Sequence, residues 1–343
     1  MKSAVFCGKG KIRFDDNYPT PAPREDEVLI KVYACGVCGT DVHIFHGEKG
    51  SAEVTPPVIL GHELAGEVVS VGKNVTTVRP GDRVTVDPNS YCGICRACKM
   101  GQKNMCENMK ACGVNFDGGF SEYCVVPEKL CFQLGDNVSF EEGAMTEPVA
   151  CCLHGIDLAN IRPGGVVCVI GGGAIGLIMA QLARASGAAT VILSEPVEMR
   201  RKIALENGCD YTVDPTSESL PDRIRELTGA DGADTVIECV GNLSATGQAI
   251  AAAGKGATVL LFSVPKPDAV FPLPLMDVFS KELHIIGSFV NPDTHQRAVN
   301  LINSGVLNLK PLITHRFPVS RLEDAILAQQ GAESIKVLVT PQA

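Results

Sequence analysis

A strand-like apolar run that breaks into glycines limits the folds open to this chain more than any other feature: VVCVIGGGAIG, residues 166–176. Gly171, Gly173 and Gly176 fall in G-x-G-x-x-G spacing, between that run and the helix-like AIGLIMAQLARASG. Gly171 permits a tight turn, Gly173 lets the backbone approach a pyrophosphate, and Gly176 lets the helix pack close, with unpaired N–H groups at the helix start offered to phosphates. Taken alone, the run is also compatible with a glycine-rich turn that binds nothing. A second apolar run, ATVILSEP, supplies the context. Glu195 ends it at the distance where a carboxylate accepts the 2′ and 3′ hydroxyls of an adenosine ribose. A carboxylate there repels a 2′-phosphate, so NAD is expected over NADP, a preference tempered by nearby Arg200 and Arg201; Arg200 joins the glycines and Glu195 as a cofactor-binding candidate.

From about 150 to 287, apolar runs alternate with helix-like segments, which predicts a parallel sheet with helices on both faces. Residues 1–149 have a different rhythm: short Val-rich runs (EVLIKVYACGV, LAGEVVSVG, DRVTVDP) between Gly, Pro, Asn and Asp turns, as in an all-β barrel or sandwich. The tail, 288–343, is too short for a core of its own and is assigned to the N-terminal domain. A chain of 343 residues suits two domains.

Fifteen cysteines, an odd number scattered through apolar stretches, would be a hazard in an oxidising compartment. The start, MKSAVFCGKGKIRFDD, has no apolar core of signal-peptide length, and nowhere do about 18 uncharged apolar residues run together. A cytoplasmic protein with reduced thiols is expected. A formal charge of −9 without any basic block argues against a nucleic-acid partner, and nothing points to a membrane.

Four of the cysteines, Cys92, Cys95, Cys98 and Cys106, fall within YCGICRACKMGQKNMC. Four thiolates at such intervals fit a closed tetrahedral zinc site, structural because no position is open. A redox C-x-x-C is the rival, disfavoured because the stretch does not open a helix in a β-α-β unit. A second constellation is spread wider: Cys38 in CGVCGTDVHIFHG, His62 and Glu63 in LGHELAGEVVSVG, and Glu147 in GAMTEPVACCLHG. Cysteine, histidine and carboxylate are the mixed ligands of a catalytic zinc that keeps one position open. Singly, each has a plainer reading: a core thiol, a satisfied loop imidazole, a helix-start acid.

The motifs GVCGTDVH, GHE, the four-cysteine lobe, DGGFSEY, EPVACCLHG, GGGAIG and LKPLITHRFP, in this order along nearly the whole chain, together resemble the zinc-dependent medium-chain alcohol dehydrogenases, in their polyol (sorbitol) and threonine dehydrogenase branch. The resemblance implies an α/β protein: a GroES-like β-barrel catalytic domain, completed by the C-terminal segment, and a Rossmann doubly wound parallel sheet between. It implies one catalytic and one structural zinc per chain, NAD as cofactor, a small alcohol as substrate and a dimer or tetramer. Carried over by position, Cys38 and His62 would hold the catalytic zinc, and Glu63 and Glu147 would bind it directly or through water. Thr40 would take the substrate proton and His43 would pass it outward. Asp41 would steady His62. Lys336 matches a basic residue near Glu63 and the cofactor pyrophosphate, and Ile175 the apolar residue behind the nicotinamide.

Charge limits the metal set: one thiolate and one carboxylate neutralise a divalent ion, so both glutamates are not expected as tightly bound, ionised ligands together. Two positions depart from the sorbitol pattern: Ile44 stands where an aromatic residue follows the relay histidine, and Val290 where an arginine is usual. Asn291, Asn115 or Ser288 could bind hydroxyls instead. The first expectation is therefore hydride transfer from a polyol to NAD. The alternatives are L-threonine or 2,3-butanediol oxidation, or a non-catalytic zinc and nucleotide sensor, which would need no proton relay.

Overall fold

In the computed structural model, which describes residues 1–48 and 54–343, the run that ends at Gly171 is the strand Val166–Ile170, followed by the helix Ala174–Ala185. The strand is buried nearly throughout, as a parallel strand covered by helices on both faces must be. Six parallel strands stand in the order Tyr211–Val213, Thr190–Ser194, Val166–Ile170, Ala233–Glu238, Ala253–Leu261, His284–Gly287. Chain order reverses beside Val166–Ile170, which creates the crevice at the strands' carboxyl ends where such sheets bind ligands. Cys168, Ile192, Val213, Ile224, Val236 and Val259 form part of its core.

These strands belong to one of two units, residues 151–290 and 306–312; the other unit comprises 1–150, 291–305 and 313–343. The second unit is built around a seven-stranded sheet. Its ten-residue strand Glu27–Gly36 pairs antiparallel with Glu63–Val71, Tyr123–Pro127 and Lys336–Val339. The C-terminal segment thus inserts the strands Ile313–Phe317 and Lys336–Val339 into the sheet, and Val337 and Val339 are buried among Ile30, Val32, Leu64 and Phe120.

Two stretches depart from the expectation that all of 288–343 belongs to the N-terminal domain. Residues 288–290 and Val306–Leu312 group with the parallel-sheet unit, the second by clear contacts. Leu307, Leu309 and Leu312 are buried, and Gln181 exchanges two hydrogen bonds with the Asn308 backbone while the Asn308 amide donates to Asn207 Oδ1. No helix among the described residues is long and apolar enough to cross a membrane.

Candidate metal and cofactor sites

The strand Glu27–Gly36 delivers Cys38 to the start of the helix Gly39–Phe45. Asp41 Oδ2 accepts from the Cys38 backbone N–H at 2.8 Å. Across the sheet, Gly36 is the register partner of Glu63. A side chain at position 36 would overlap Glu63 Oε2 and Lys336 Cε, so glycine makes room for a carboxylate and an ammonium side by side. Lys336, from the last strand, ion-pairs with Glu63 and donates to the Val37 carbonyl at 3.1 Å.

Donor atoms of Cys38, His62 and Glu63 lie within 4.8 Å of one another. His62 Nδ1 stands 3.6 Å from Asp41 Oδ1, which leaves Nε2 as the donor for a metal. Glu147, in the first turn of the helix Thr146–Ala159, is buried and outside that trio, yet near enough to act on His62. Burial opposes a charge on His62, but Asp41, Cys38 and Glu147 together hold its pKa well above the usual imidazole value. Burial likewise opposes a charge on Lys336, and Glu63 and Cys38 outweigh it, raising its pKa. With His62 neutral, as a metal-ligating imidazole must be, a Cys38 thiolate with Asp41, Glu63 and Glu147 would set four negative charges against one cation, Lys336. Such an excess, with all three acids buried, is costly unless neutralised. A divalent ion does that with soft and hard donors both to hand, so these residues fit a zinc.

Thr40 and His43 lie three apart on the helix Gly39–Phe45, hence on one face. His43 Nδ1 lies 2.6 Å from Glu48 Oε2, a partner that no sequence pattern flagged.

The four-cysteine lobe also fits its metal. All four sulfurs lie within 4.8 Å of one another, and Cys95 and Cys106 Sγ are 3.9 Å apart. A tetrahedron with Zn–S bonds of about 2.3 Å has an edge of about 3.8 Å. Backbone N–H groups already point at the sulfurs: Cys92 N to Cys106 Sγ and Cys95 N to Cys92 Sγ. The Ile94 and Cys95 amides pull the Cys92 thiol down to about 6, whereas desolvation, then Cys95 beside it, push Cys98 up to about 12.

In the parallel-sheet unit, Gly171 adopts φ +101°, and a side chain at 176 would overlap the Gly171 carbonyl. Gly173 caps the helix Ala174–Ala185 without a side-chain bond, leaving first-turn N–H groups for a ligand, with Ile175 in that turn. Glu195 is buried; its Oε2 accepts from Gly172 N at 2.6 Å and its Oε1 from Val197 N at 2.8 Å. Arg200 Nη1 lies 3.9 Å from Glu195 Oε2, and Arg201 is held by the Glu195 and Pro196 carbonyls and Asp214. Of the candidates for binding hydroxyls, Asn291 is fully buried and committed, donating to Asp87 Oδ1 and accepting from Asn89 Nδ2. That removes it from the substrate-binding role considered above. Asn115 Oδ1 accepts from Ala111 N. Ser288 lines a cavity of about 820 Å³ with Glu238, Asn242 and Ser263, its hydroxyl buried without a partner.

Comparison with known proteins agrees with this geometry. Residues 24–136 match the alcohol dehydrogenase GroES-like domain, and 174–304 match the zinc-binding dehydrogenase family. A sorbitol dehydrogenase of Halalkalibacterium halodurans is 38% identical, covering 99% of each chain. An L-threonine 3-dehydrogenase of Thermococcus kodakarensis is 35% identical over 99% of this chain and 97% of its own. A structure from Sinorhizobium meliloti, described as a zinc-binding dehydrogenase bound to NADP, is 40% identical and superposes with a TM-score of 0.94 over 99% of both chains.

Proposed function

Because the chain belongs to the zinc-dependent medium-chain alcohol dehydrogenase family, we propose that it oxidises a polyol of the sorbitol class at a secondary alcohol, with NAD as the acceptor. The convergence of Cys38, His62 and Glu63 carries this reading. These three residues hold the catalytic zinc, and Glu147 acts from beside it. When bound, the zinc polarises the alcohol oxygen so that its carbon can release hydride, which the nicotinamide accepts. Asp41, with Oδ1 3.6 Å from His62 Nδ1, is the carboxylate placed to orient that imidazole, and Lys336 balances the charge of Glu63. Thr40 takes the hydroxyl proton and His43 passes it toward solvent, beside Glu48. Cys92, Cys95, Cys98 and Cys106 hold the structural zinc.

Gly171, Gly173 and Gly176 cradle the pyrophosphate, Glu195 receives the ribose hydroxyls, and Ile175 and Arg200 complete the cofactor contacts within the parallel-sheet unit. NAD is preferred over NADP because a 2′-phosphate would meet the Glu195 carboxylate. Oxidation of L-threonine or a vicinal diol is the second reading, favoured by Val290 at the position of the sorbitol-type arginine and by the threonine dehydrogenase relative. The protein works in the cytoplasm, where its fifteen cysteines stay reduced. It assembles as a homotetramer; largely exposed Leu275, Met276 and Phe279, just ahead of the edge strand His284–Gly287, offer an apolar pairing face.

The test is NAD(P)H formation by zinc-loaded protein with sorbitol, xylitol, L-threonine and 2,3-butanediol. Turnover is expected to be fastest with a polyol and NAD, and lost in Cys38→Ala and His62→Ala while NADH still binds. Activity that survives both substitutions, or a preference for L-threonine, would overturn it.

A further inference from the structure

Beside the four-cysteine lobe, the unit containing the metal residues has a cavity of about 430 Å³, within the range of small-molecule pockets. None of its lining residues belongs to the set Cys38, His62, Glu63 and Glu147. Its inner wall is built rather than incidental. Asp87 and Asn89 are more than nine-tenths buried. Asp87 Oδ1 accepts from the Asn89 N–H and the Asn291 amide, and the Asn89 amide donates to Asn291 Oδ1, so the three side chains hold one another in place.

His295 completes the wall differently. It is 1% exposed, packs its ring on Phe132 at 4.8 Å between centroids, and has no hydrogen-bond partner at either ring nitrogen. A buried imidazole left wholly unsatisfied is rare and costly. Burial holds its pKa down near 3, so the ring is neutral and offers one donor and one acceptor. It opens the helix His295–Asn303, whose first turn has no side-chain cap.

The charged groups facing the cavity are two cations, Lys103 and Lys129, and two acids, Asp87 and Asp293, with Lys103 paired to Asp293 at 2.7 Å. Balanced charges give no preference for an ion of either sign. Among the described residues, the donor groups that converge as a metal would require are the two clusters already described. What the cavity does present is a set of planar polar groups, Asp87, Asn89, His295 and Gln296, together with the apolar side chains of Phe132 and Leu130. Groups that between them donate and accept match hydroxyls, and the apolar side chains beside them match the C–H groups between hydroxyls.

We propose that this cavity is a second binding site, apart from the catalytic centre, for a neutral polyhydroxylated small molecule such as a sugar or sugar alcohol. It does not depend on which alcohol the enzyme oxidises.

The experiment uses full-length, zinc-loaded protein carrying 13C at the histidine Cε1 positions, titrated with D-sorbitol and separately with inorganic phosphate. The His295 signal is identified by its loss in His295→Gln, and the His62 signal reports the catalytic centre in the same spectra. Sorbitol is expected to shift His295 saturably and phosphate to leave it in place. Gln296→Ala, at an exposed position, is expected to weaken the response at least fivefold. A His295 signal moved by phosphate and not by sorbitol, one indifferent to both, or a response unchanged in Gln296→Ala overturns the proposal.

Discussion

Replacing Lys336 by Met tests the charge balance beside the cluster of Cys38, His62 and Glu63. Lys336 and Glu63 have side chains only 5% and 2% exposed, and the ammonium also donates to the Val37 carbonyl. With zinc chelated, Lys336→Met leaves the Glu63 carboxylate without its direct ion-pair partner in a dry site. Stranding one partner of a buried pair costs about 3–5 kcal/mol, and the deserted Val37 carbonyl adds about 1 kcal/mol. Removing both charges should cost far less, because apolar replacement of a whole buried pair is near neutral or stabilising. Urea unfolding of the chelated protein is the assay. The single variant is expected to lose about 4–6 kcal/mol and Lys336→Met/Glu63→Leu to recover most of it. A single-variant loss below about 1 kcal/mol, or a double variant no better than the single, would refute the view that this pair is a desolvated, mutually dependent unit.

Asp87→Asn should stabilise the protein in a pH-dependent way. Burial raises Asp87 to about 6, against about 3.9 for an unfolded aspartate. The folded state therefore keeps its proton longer, and stability falls as pH rises from about 4 through 6, by up to about 3 kcal/mol; urea melts at pH 4 and 8 should show the Asn variant ahead only at the higher pH. Cys95→Ser should halve the zinc content and lower the melting temperature before it slows turnover, as metal analysis and calorimetry would record; a stable but inactive variant would mean the two metal roles were exchanged. Gly176→Ala, which sets a methyl group against the Gly171 carbonyl, should weaken NADH binding at least tenfold by fluorescence titration while leaving zinc content unchanged.

The features legible in the sequence are those whose partners lie close along the chain. G-x-G-x-x-G is a turn and one helical start, so its geometry follows from spacing alone, and the four cysteines close a loop of fifteen residues. The change from short Val-rich runs to alternating strand and helix likewise announces two kinds of sheet. Asn291 shows the limit: from its neighbours it looks free to meet a substrate, but Asp87 and Asn89, about 200 positions away, already occupy its amide. Val306–Leu312 lies between two stretches, 291–305 and 313–343, that belong to the other unit, and only the contacts of its leucines and of Asn308 assign it to the parallel-sheet unit.

By itself, then, the sequence determined the local features: the glycine-rich turn between strand and helix, the cluster of four cysteines and the presence of cysteine, histidine and carboxylate suited to a mixed-ligand metal centre. Tertiary structure decided which carboxylate joins Cys38 and His62, because that rests on Glu63 standing opposite Gly36 and on a lysine arriving from the last strand. Strand register and chain closure act between residues far apart in sequence, and no spacing rule encodes them.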